Sequence, residues 1–514
     1  MKKVILLFFP FLSFIYQGFA QDLVELKKES SNSIVLKYMF NVGSVMDPPG
    51  KEGLTQLTAS LMTGGGSEKY TISEIDNLLY PMAGEYNHKV DKEVTVFTFE
   101  VHADFIDEFY DIVSGMIYQP AFYENDFNRI KSNQQNYVDQ ILKASSDEDY
   151  SKMALEDLLF RETRYQHMIA GTSSGIRNIT LDDIRAHYKT YYTKDNLIIG
   201  VAGKFYEDFA SIVMNDASGL PNLTVTLPQP QKVKMPEGFQ IEIIRKENIL
   251  GSAIFTGFPL DITRASDEFA ALMVANSWLG EHRKSYGQLY QKIRDIRSMN
   301  YGDYSYIEWF PDGGRYQLPP PHTPRHSNYF SIWIRPVQIA EQLRTQYAEL
   351  GNISVGHAHF ALRLAIRELD RLVRNGITQK DFEITRQFLR SYIKLYTQTP
   401  SSELGFLMDS RFYDRLDFIS ELDGLLADLT VEKVNAAVRR YLQADNMYVA
   451  IITDDSEVES LSYNLKNNTA SPMSYSNLVR EGLPLEVIQE DEEIATYPLN
   501  VKSVKIIDSE ATFK

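Results

Sequence analysis

The sequence predicts an α+β protein of two homologous domains, each a mostly antiparallel sheet with helices packed on one face. Residues 180–203 and 430–453 align without a gap, and each reads as a Thr-capped helix, an Asp-Asn turn and an apolar strand. Asp126-Phe127 and Asp381-Phe382 each open a long polar helix. A weaker third repeat pairs the strand and helix after Ser33 with those after Ser252. Repeats in one order indicate two copies of one domain.

The N-terminus reads as a secretory signal. Two lysines precede an apolar run from Val4 to Tyr16, and the small residues Gly18 and Ala20 come just before Gln21. We therefore expect a cleavable signal peptide at residues 1–20 and export to a bacterial periplasm. No later stretch is apolar enough to suggest an integral membrane segment.

Patterning divides the rest of the chain into domains. Strand-like and helix-like runs alternate in residues 22–217 and again in residues 239–455, which predicts one domain in each range. Residues 218–238 hold four prolines and little periodicity, as expected of a linker. Residues 456–514 form a tail in which the alternation NVKSVKII allows an edge strand. The proline-rich segment 311–326 is a long loop, of a kind that is usually functional or faces a partner.

Composition narrows the class of function. The chain of 514 residues has no cysteine, which excludes disulfides, thiolate metal sites and cysteine nucleophiles. Its formal net charge of −17 argues against binding to nucleic acid or to anionic lipid. The nine histidines show no metal-binding spacing, so we expect them to be structural or to lie on the surface.

A glycine-bounded helix after residue 53 carries the most informative pattern. Leu54, Leu57 and Leu61 recur at helical spacing and predict one buried face. Gln56 and Ser60 lie one turn apart on another face, with Ala59 beside them. Two side chains at this spacing reach the same point in space, so the face can carry a site.

Several segments together resemble the insulinase/pitrilysin-type (M16) zinc peptidases, specifically the two-domain subunits of bacteria and of mitochondrial processing peptidase. The resemblance covers most of the chain from Ile34 to Asp455. It rests on the helix of residues 53–66, on the segment 70–101 with its turn at Gly84 to Asn87, and on segments 170–203 and 274–306, which occur in the family's order. It implies that the two domains form half of a clamshell.

The resemblance also marks a departure from the family. The family places a His-x-x-Glu-His zinc motif where this chain has Gln56, Ala59 and Ser60, and a third ligand, a Glu, in a region that here reads NRIKSNQQNYV and contains no acid. The resemblance therefore implies degenerate zinc-motif positions, no metal and no catalytic residue in this chain. Zinc is expected in a partner subunit.

The other half of such a site is still present in the sequence. The family's second domain supplies an Arg and a Tyr, seven residues apart, that hold the substrate carbonyl, and Arg294 and Tyr301 match that spacing. Arg297 would replace Arg294 if the register slips. The alternative is that Arg294 only pairs with Asp295 while Tyr301 packs.

These observations predict a non-catalytic subunit of a periplasmic M16 peptidase that degrades or processes peptides. Arg294 and Tyr301 would bind substrate, and a homologous zinc-bearing subunit would complete a heterodimer acting on unstructured peptides. The alternative is a non-enzymatic peptide-binding or scaffold protein on the same fold. A self-sufficient peptidase with an unfamiliar site is a third reading, which the missing thiols and the scattered His and Glu residues disfavour.

Overall fold

The computed structural model describes residues 22–145, 147–228, 231–282, 284–310 and 318–514. The predicted signal peptide at residues 1–20 lies outside the described residues, as does the 311–317 part of the proline-rich loop. Within the described ranges, no helix is both long enough and apolar enough to cross a bilayer.

The first half contains a five-stranded sheet in the order β1-β5-β2-β4-β3. β1 and β5 are parallel, and the other neighbours are antiparallel. The strands are β1 (Asp22–Lys27), β2 (Ser33–Phe40), β3 (Glu85–Val90), β4 (Thr95–His102) and β5 (Leu197–Gly203). The helices are α1 (Leu54–Gly64), α2 (Ile72–Leu79), α3 (Ile106–Tyr118), α4 (Glu124–Asn136), α5 (Leu142–Ser145), α6 (Asp147–Leu159), α7 (Ser173–Asn178), α8 (Leu181–Tyr191) and α9 (Phe209–Asp216).

The second half contains a six-stranded sheet in the order β11-β6-β10-β7-β9-β8. β11, β6 and β10 run parallel, and the remaining neighbours are antiparallel. The strands are β6 (Phe239–Lys246), β7 (Gly251–Leu260), β8 (Asp303–Tyr306), β9 (Asn328–Gln338), β10 (Met447–Asp454) and β11 (Val501–Asp508). The helices are α10 (Phe269–Gly280), α11 (Ala340–Gln346), α12 (Ala358–Asn375), α13 (Gln379–Ile393), α14 (Pro400–Phe412), α15 (Phe418–Ala427), α16 (Val431–Tyr441), α17 (Asp455–Lys466), α18 (Asn477–Gly482) and α19 (Leu485–Ala495).

The two sheets have the same topology. If β6, β10, β7, β9 and β8 are matched in turn to β1, β5, β2, β4 and β3, both the spatial order and the strand directions agree. The repeated segments therefore do correspond to two copies of one α+β domain, and the predicted fold class is confirmed. β11 is the addition in the second copy.

Each domain also sends one helix across to the other domain's sheet. α14 of the second half packs Leu404 and Met408 against Val35 and Ile198, on the face of the first sheet opposite its own helices. In return, α6 of the first half packs on β7, β9 and β10 of the second sheet. Helices thus cover both faces of each sheet, and the second cover comes from the other half of the chain.

The predicted tail is part of the second half. β11 pairs with β6 as an edge strand, and α17 and α19 pack on β11 and α12. Beyond β11, the Phe513 ring lies 5.3 Å from the ring of Tyr150 on α6. Residues 456–514 therefore extend the second sheet and end against the first half.

The described part of the proline-rich loop is held between the two halves by buried charges. Arg325 donates to both Asp91 oxygens at 2.6 and 2.7 Å and also to Glu156 on α6. Lys92, with no exposed side-chain surface, lies 3.2 Å from Glu156. Burial lowers the pKa of Lys92. This loop segment therefore acts as an internal bridge between the domains.

Candidate functional site

The helix that carries the degenerate motif begins at a fixed turn. Gly53 has a φ of 102°, a left-handed conformation that favours glycine. The Asp47 carboxylate accepts hydrogen bonds from the Gly53 and Thr55 amides at 2.7 and 2.8 Å, so it satisfies the first free N–H groups of α1. Leu57 and Leu61 are fully buried, as the spacing predicts. The opposite face of α1 is thereby directed away from the core.

Gln56 and Ser60 lie together on this face, half-buried, and Ala59 does not join them. The Gln56 side-chain nitrogen donates to Ser60 Oγ at 3.0 Å. Both groups lie 3.2 Å from Nε2 of His88 on β3. Ala59 is fully buried in the hydrophobic core. The sequence predicts a structural or surface role for His88, although this residue directly follows Asn87, the end of the Gly84 to Asn87 turn, and that position was the available signal.

The hydrogen-bond directions in this cluster follow from Thr63. Its hydroxyl donates to the Ala59 carbonyl at 3.2 Å, so its oxygen accepts from His88 Nδ1 at 2.8 Å. Burial lowers the pKa of His88 to about 4, so the ring is neutral near pH 7 and Nε2 is an acceptor. The amide nitrogen of Gln56 must therefore face His88, and this assignment fixes which way the amide points.

The region expected to hold a third zinc ligand instead makes structural hydrogen bonds. Gln134 on α4 donates to the carbonyls of Gly53 and Ala170 at 3.0 and 2.9 Å, which ties α4 to the start of α1. Elsewhere around the motif the polar side chains are one imidazole, one amide and two hydroxyls. That set does not fit Zn²⁺, which in proteins takes three or four Cys, His or carboxylate ligands. In the described ranges, no three His, Cys, Asp or Glu side chains are grouped to hold a metal.

The motif face opens into a cavity of about 690 Å³ between the two halves. Gln56, Ser60 and His88 form part of one wall, and Trp309 and Thr323 contribute from the second half. A cavity of this size can enclose a small molecule or a few residues of a peptide.

Replacing His88 with Gln is expected to change how stability depends on pH. Unfolding returns the histidine pKa to about 6.5, so between about pH 4 and 6.5 the unfolded chain binds one more proton than the folded chain. The stability that His88 contributes is present above pH 6.5 and is lost as the pH falls towards 4. The variant should lack this slope of about 1.4 kcal/mol per pH unit.

Urea unfolding of wild type and His88→Gln at several pH values between 4 and 7 measures the difference. The stability of the wild type should fall relative to that of the variant as the pH falls from 6.5 towards 4. Parallel curves would show that His88 is not held neutral in the folded protein.

Arg294 and Tyr301 lie in a second cavity, of about 830 Å³, which Met299 and Val337 also line. Arg294 is the penultimate residue of a stretch of π-helix, Tyr290–Asp295, and its guanidinium lies 4.7 Å from the centre of the Tyr290 ring. Its contact with Asp295, at 3.5 Å, is at the limit of a hydrogen bond. Tyr301 is 81% exposed, so it is not packed. Both side chains are accessible in one groove of the second half.

Arg297 is not accessible and therefore cannot replace Arg294 in the groove. Its side chain has no exposed surface and donates to Asp491 at 2.7 Å and Glu490 at 2.9 Å, both on α19. Lys292 pairs with Glu490 at 2.7 Å. The acidic run of the predicted tail therefore holds the segment that presents Arg294, through Lys292 before it and Arg297 after it.

Comparisons with known proteins identify the family of this chain and its relatives. The family described as "Insulinase (Peptidase family M16)" matches residues 23–173, and the family described as "Peptidase M16 inactive domain" matches residues 178–332. The chain is 22% identical over 443 residues to "Uncharacterized zinc protease YmxG" of Bacillus subtilis, covering 83% of this chain and 95% of that protein. It is 20% identical over 429 residues to "Non-peptidase homolog YmxG" of Helicobacter pylori, covering 81% and 88%.

The fold has a close match among solved structures. The crystal structure of a peptidase M16 inactive domain from Pseudomonas fluorescens superposes with a TM-score of 0.71 at 18% identity, covering 84% of this chain and 95% of that one. At this identity the likeness concerns the fold alone.

Proposed function

Since this chain belongs to the insulinase (M16) family of peptidases, we propose that it is a non-catalytic subunit of a zinc peptidase of that family. One observation carries the proposal. The positions of the zinc motif form a neutral hydrogen-bonded cluster of Gln56, Ser60 and His88, whereas Arg294 and Tyr301 remain accessible in a groove. The chain has lost the metal-binding half of a site and kept the half that binds substrate.

The chemistry of the retained pair suits a substrate carbonyl. A guanidinium and a phenol are both hydrogen-bond donors, and donors aimed at a carbonyl oxygen stabilise the negative charge that develops there during hydrolysis. A homologous partner with an intact His-x-x-Glu-His motif would hold zinc, which activates water when bound. This chain would orient the peptide and form half of the chamber wall in a heterodimer.

Unstructured peptides are the expected substrates of such an assembly. β3 is an edge strand of the first sheet, paired only with β4 in the described structure, and it contains Asn87. An extended peptide can add to such an edge by backbone hydrogen bonds. β3 also carries His88 on the cavity wall, so a peptide bound there lies next to the cavity.

The expected location is the bacterial periplasm. The proposal rests on residues 1–20, whose lysines, apolar run and small residues have the order of a secretory signal. A form of the protein without residues 1–20, recovered from the periplasmic fraction, would support it. Retention of the full-length chain in the cytoplasm would contradict it.

The test of the function is co-purification followed by mixing. The native protein should bring down a homologous chain with an intact His-x-x-Glu-His motif. Alone, this chain should bind no stoichiometric zinc and cleave no fluorogenic peptide, whereas the mixture should cleave much faster than the partner alone.

Failure of the mixture to exceed the partner alone, despite a stable complex, would favour the alternative of a non-enzymatic peptide-binding or scaffold protein. The name of the Helicobacter relative, a non-peptidase homolog, favours this alternative. Cleavage by this chain alone would contradict both readings.

A further inference from the structure

The cavity beside the degenerate motif presents a specific pair of polar groups. The Gln56 amide nitrogen has two hydrogens, and its two contacts, Ser60 Oγ at 3.0 Å and His88 Nε2 at 3.2 Å, can use both. The single in-plane lone pair of Nε2 accepts only one hydrogen, so when Gln56 donates to it, the Ser60 hydroxyl hydrogen is left for a ligand. Gln56 Oε1 accepts no hydrogen bond within the described structure. One donor and one acceptor thus lie side by side on this wall.

The wall carries no net charge to attract an ion. His88 is neutral because it is buried. Of the charged residues lining the cavity, Asp91 is paired with Arg325 at 2.6 Å and Asp149 with Lys152 at 3.0 Å. Lys89 also has an interaction partner within the protein. A charged ligand entering here would have to compete with these internal partners for a counter-ion.

The remaining surface of the cavity is largely apolar. Ile130, Met153, Met168, Ile169 and Trp309 line it, and its volume is about 690 Å³. Apolar walls with a few convergent polar groups are the usual composition of a small-molecule site. The ligand that fits this composition is neutral, has an apolar body, and offers one acceptor and one donor close together.

We infer that this cavity is a binding site for an uncharged carboxamide with an apolar substituent. The carboxamide oxygen accepts from the Ser60 hydroxyl, and its N–H donates to Gln56 Oε1. The Gln56–Ser60–His88 cluster is then a recognition element in its own right. Because neither Arg294 nor Tyr301 lines this cavity, the inference stands whether or not the proposed function is correct.

The experiment is calorimetric titration of the full mature chain with N-acetyl-leucyl-leucinamide. We expect saturable binding of this probe, and weaker binding of the matching C-terminal carboxylate. Isovaleramide, a small primary amide, separates two sources of the same chemistry. Preference for the blocked dipeptide indicates a peptide segment, and preference for isovaleramide indicates a free small amide.

The matched control comes from α13, where Gln387 donates to Ser391 at 3.3 Å with the same one-turn spacing on an exposed surface. Gln56→Met should weaken binding of the preferred probe about tenfold, the effect of about 1.4 kcal/mol. Ser60→Ala should weaken it similarly, and Gln387→Met should leave it unchanged. Thermal unfolding of each variant checks that the fold is intact.

Three results would overturn the inference. They are absence of saturable binding by both amides, equal binding of the carboxylate, and equal affinity of the folded Gln56→Met and Gln387→Met variants. None of these readouts depends on a partner subunit or on peptidase activity.

Discussion

Replacing Arg294 with Ala is expected to lower the peptidase activity of the mixed complex about 100-fold, the typical cost of removing one donor to a developing oxyanion. Arg294 lies in the π-helical stretch Tyr290–Asp295 and lines the groove. The loss should appear in kcat more than in KM, since the interaction strengthens as the carbonyl oxygen gains charge. Steady-state kinetics of the mixture on a fluorogenic peptide measures it.

Two further variants make this result specific. Arg374→Ala removes an exposed arginine of the same domain, which pairs with Asp370, and should leave activity unchanged. Arg294→Lys keeps the charge but not the planar fork, and should recover only part of the activity. If Arg294→Ala keeps full activity in a stable complex, Arg294 does not have the role assigned to it.

Replacing Arg325 with Met is expected to lower the free energy of unfolding by about 3–5 kcal/mol, the usual cost of breaking a buried ion pair by removing one partner. Asp91 and Glu156, each 1% exposed at the side chain, would lose their shared guanidinium. Among the described residues, Lys92 would remain as the cation that pairs with Glu156. Urea unfolding of the wild type and the variant measures the loss.

A surface arginine provides the comparison for this stability effect. Arg440 is 65% exposed at the side chain and pairs with Glu268. Arg440→Met should cost less than about 1 kcal/mol, as is usual for exposed ion pairs. Equal losses in the two variants would show that the charge cluster between the domains does not hold them together.

The two-domain fold could be predicted from the sequence because its local patterns occur twice. A capped helix, an Asp-Asn turn and an apolar strand are local patterns, and finding them twice predicts the duplication without any knowledge of packing. The crossing of α6 and α14 left no such signal. Both helices cover a sheet from the other half of the chain, and a pattern of apolar residues does not say which sheet it will meet.

The candidate site, too, could be predicted only in part from the sequence. The spacing of Gln56 and Ser60 on one helix predicted their contact, because residues one turn apart are neighbours. His88 was missed because it reaches them from a separate strand. The choice between Arg294 and Arg297 depends on carboxylates about 190 residues later in the chain, and no local pattern near Arg297 reveals them.

The exchange of helices makes each half of the chain depend on the other for part of its core. A fragment ending in the linker would lack α14, and Val35, Met39 and Ile198 would lose the helix that covers them. The complementary fragment would lack α6 and leave one face of its own sheet bare. Each half of the chain thus completes the core of the other, and we expect neither half to be stable as a separate fragment.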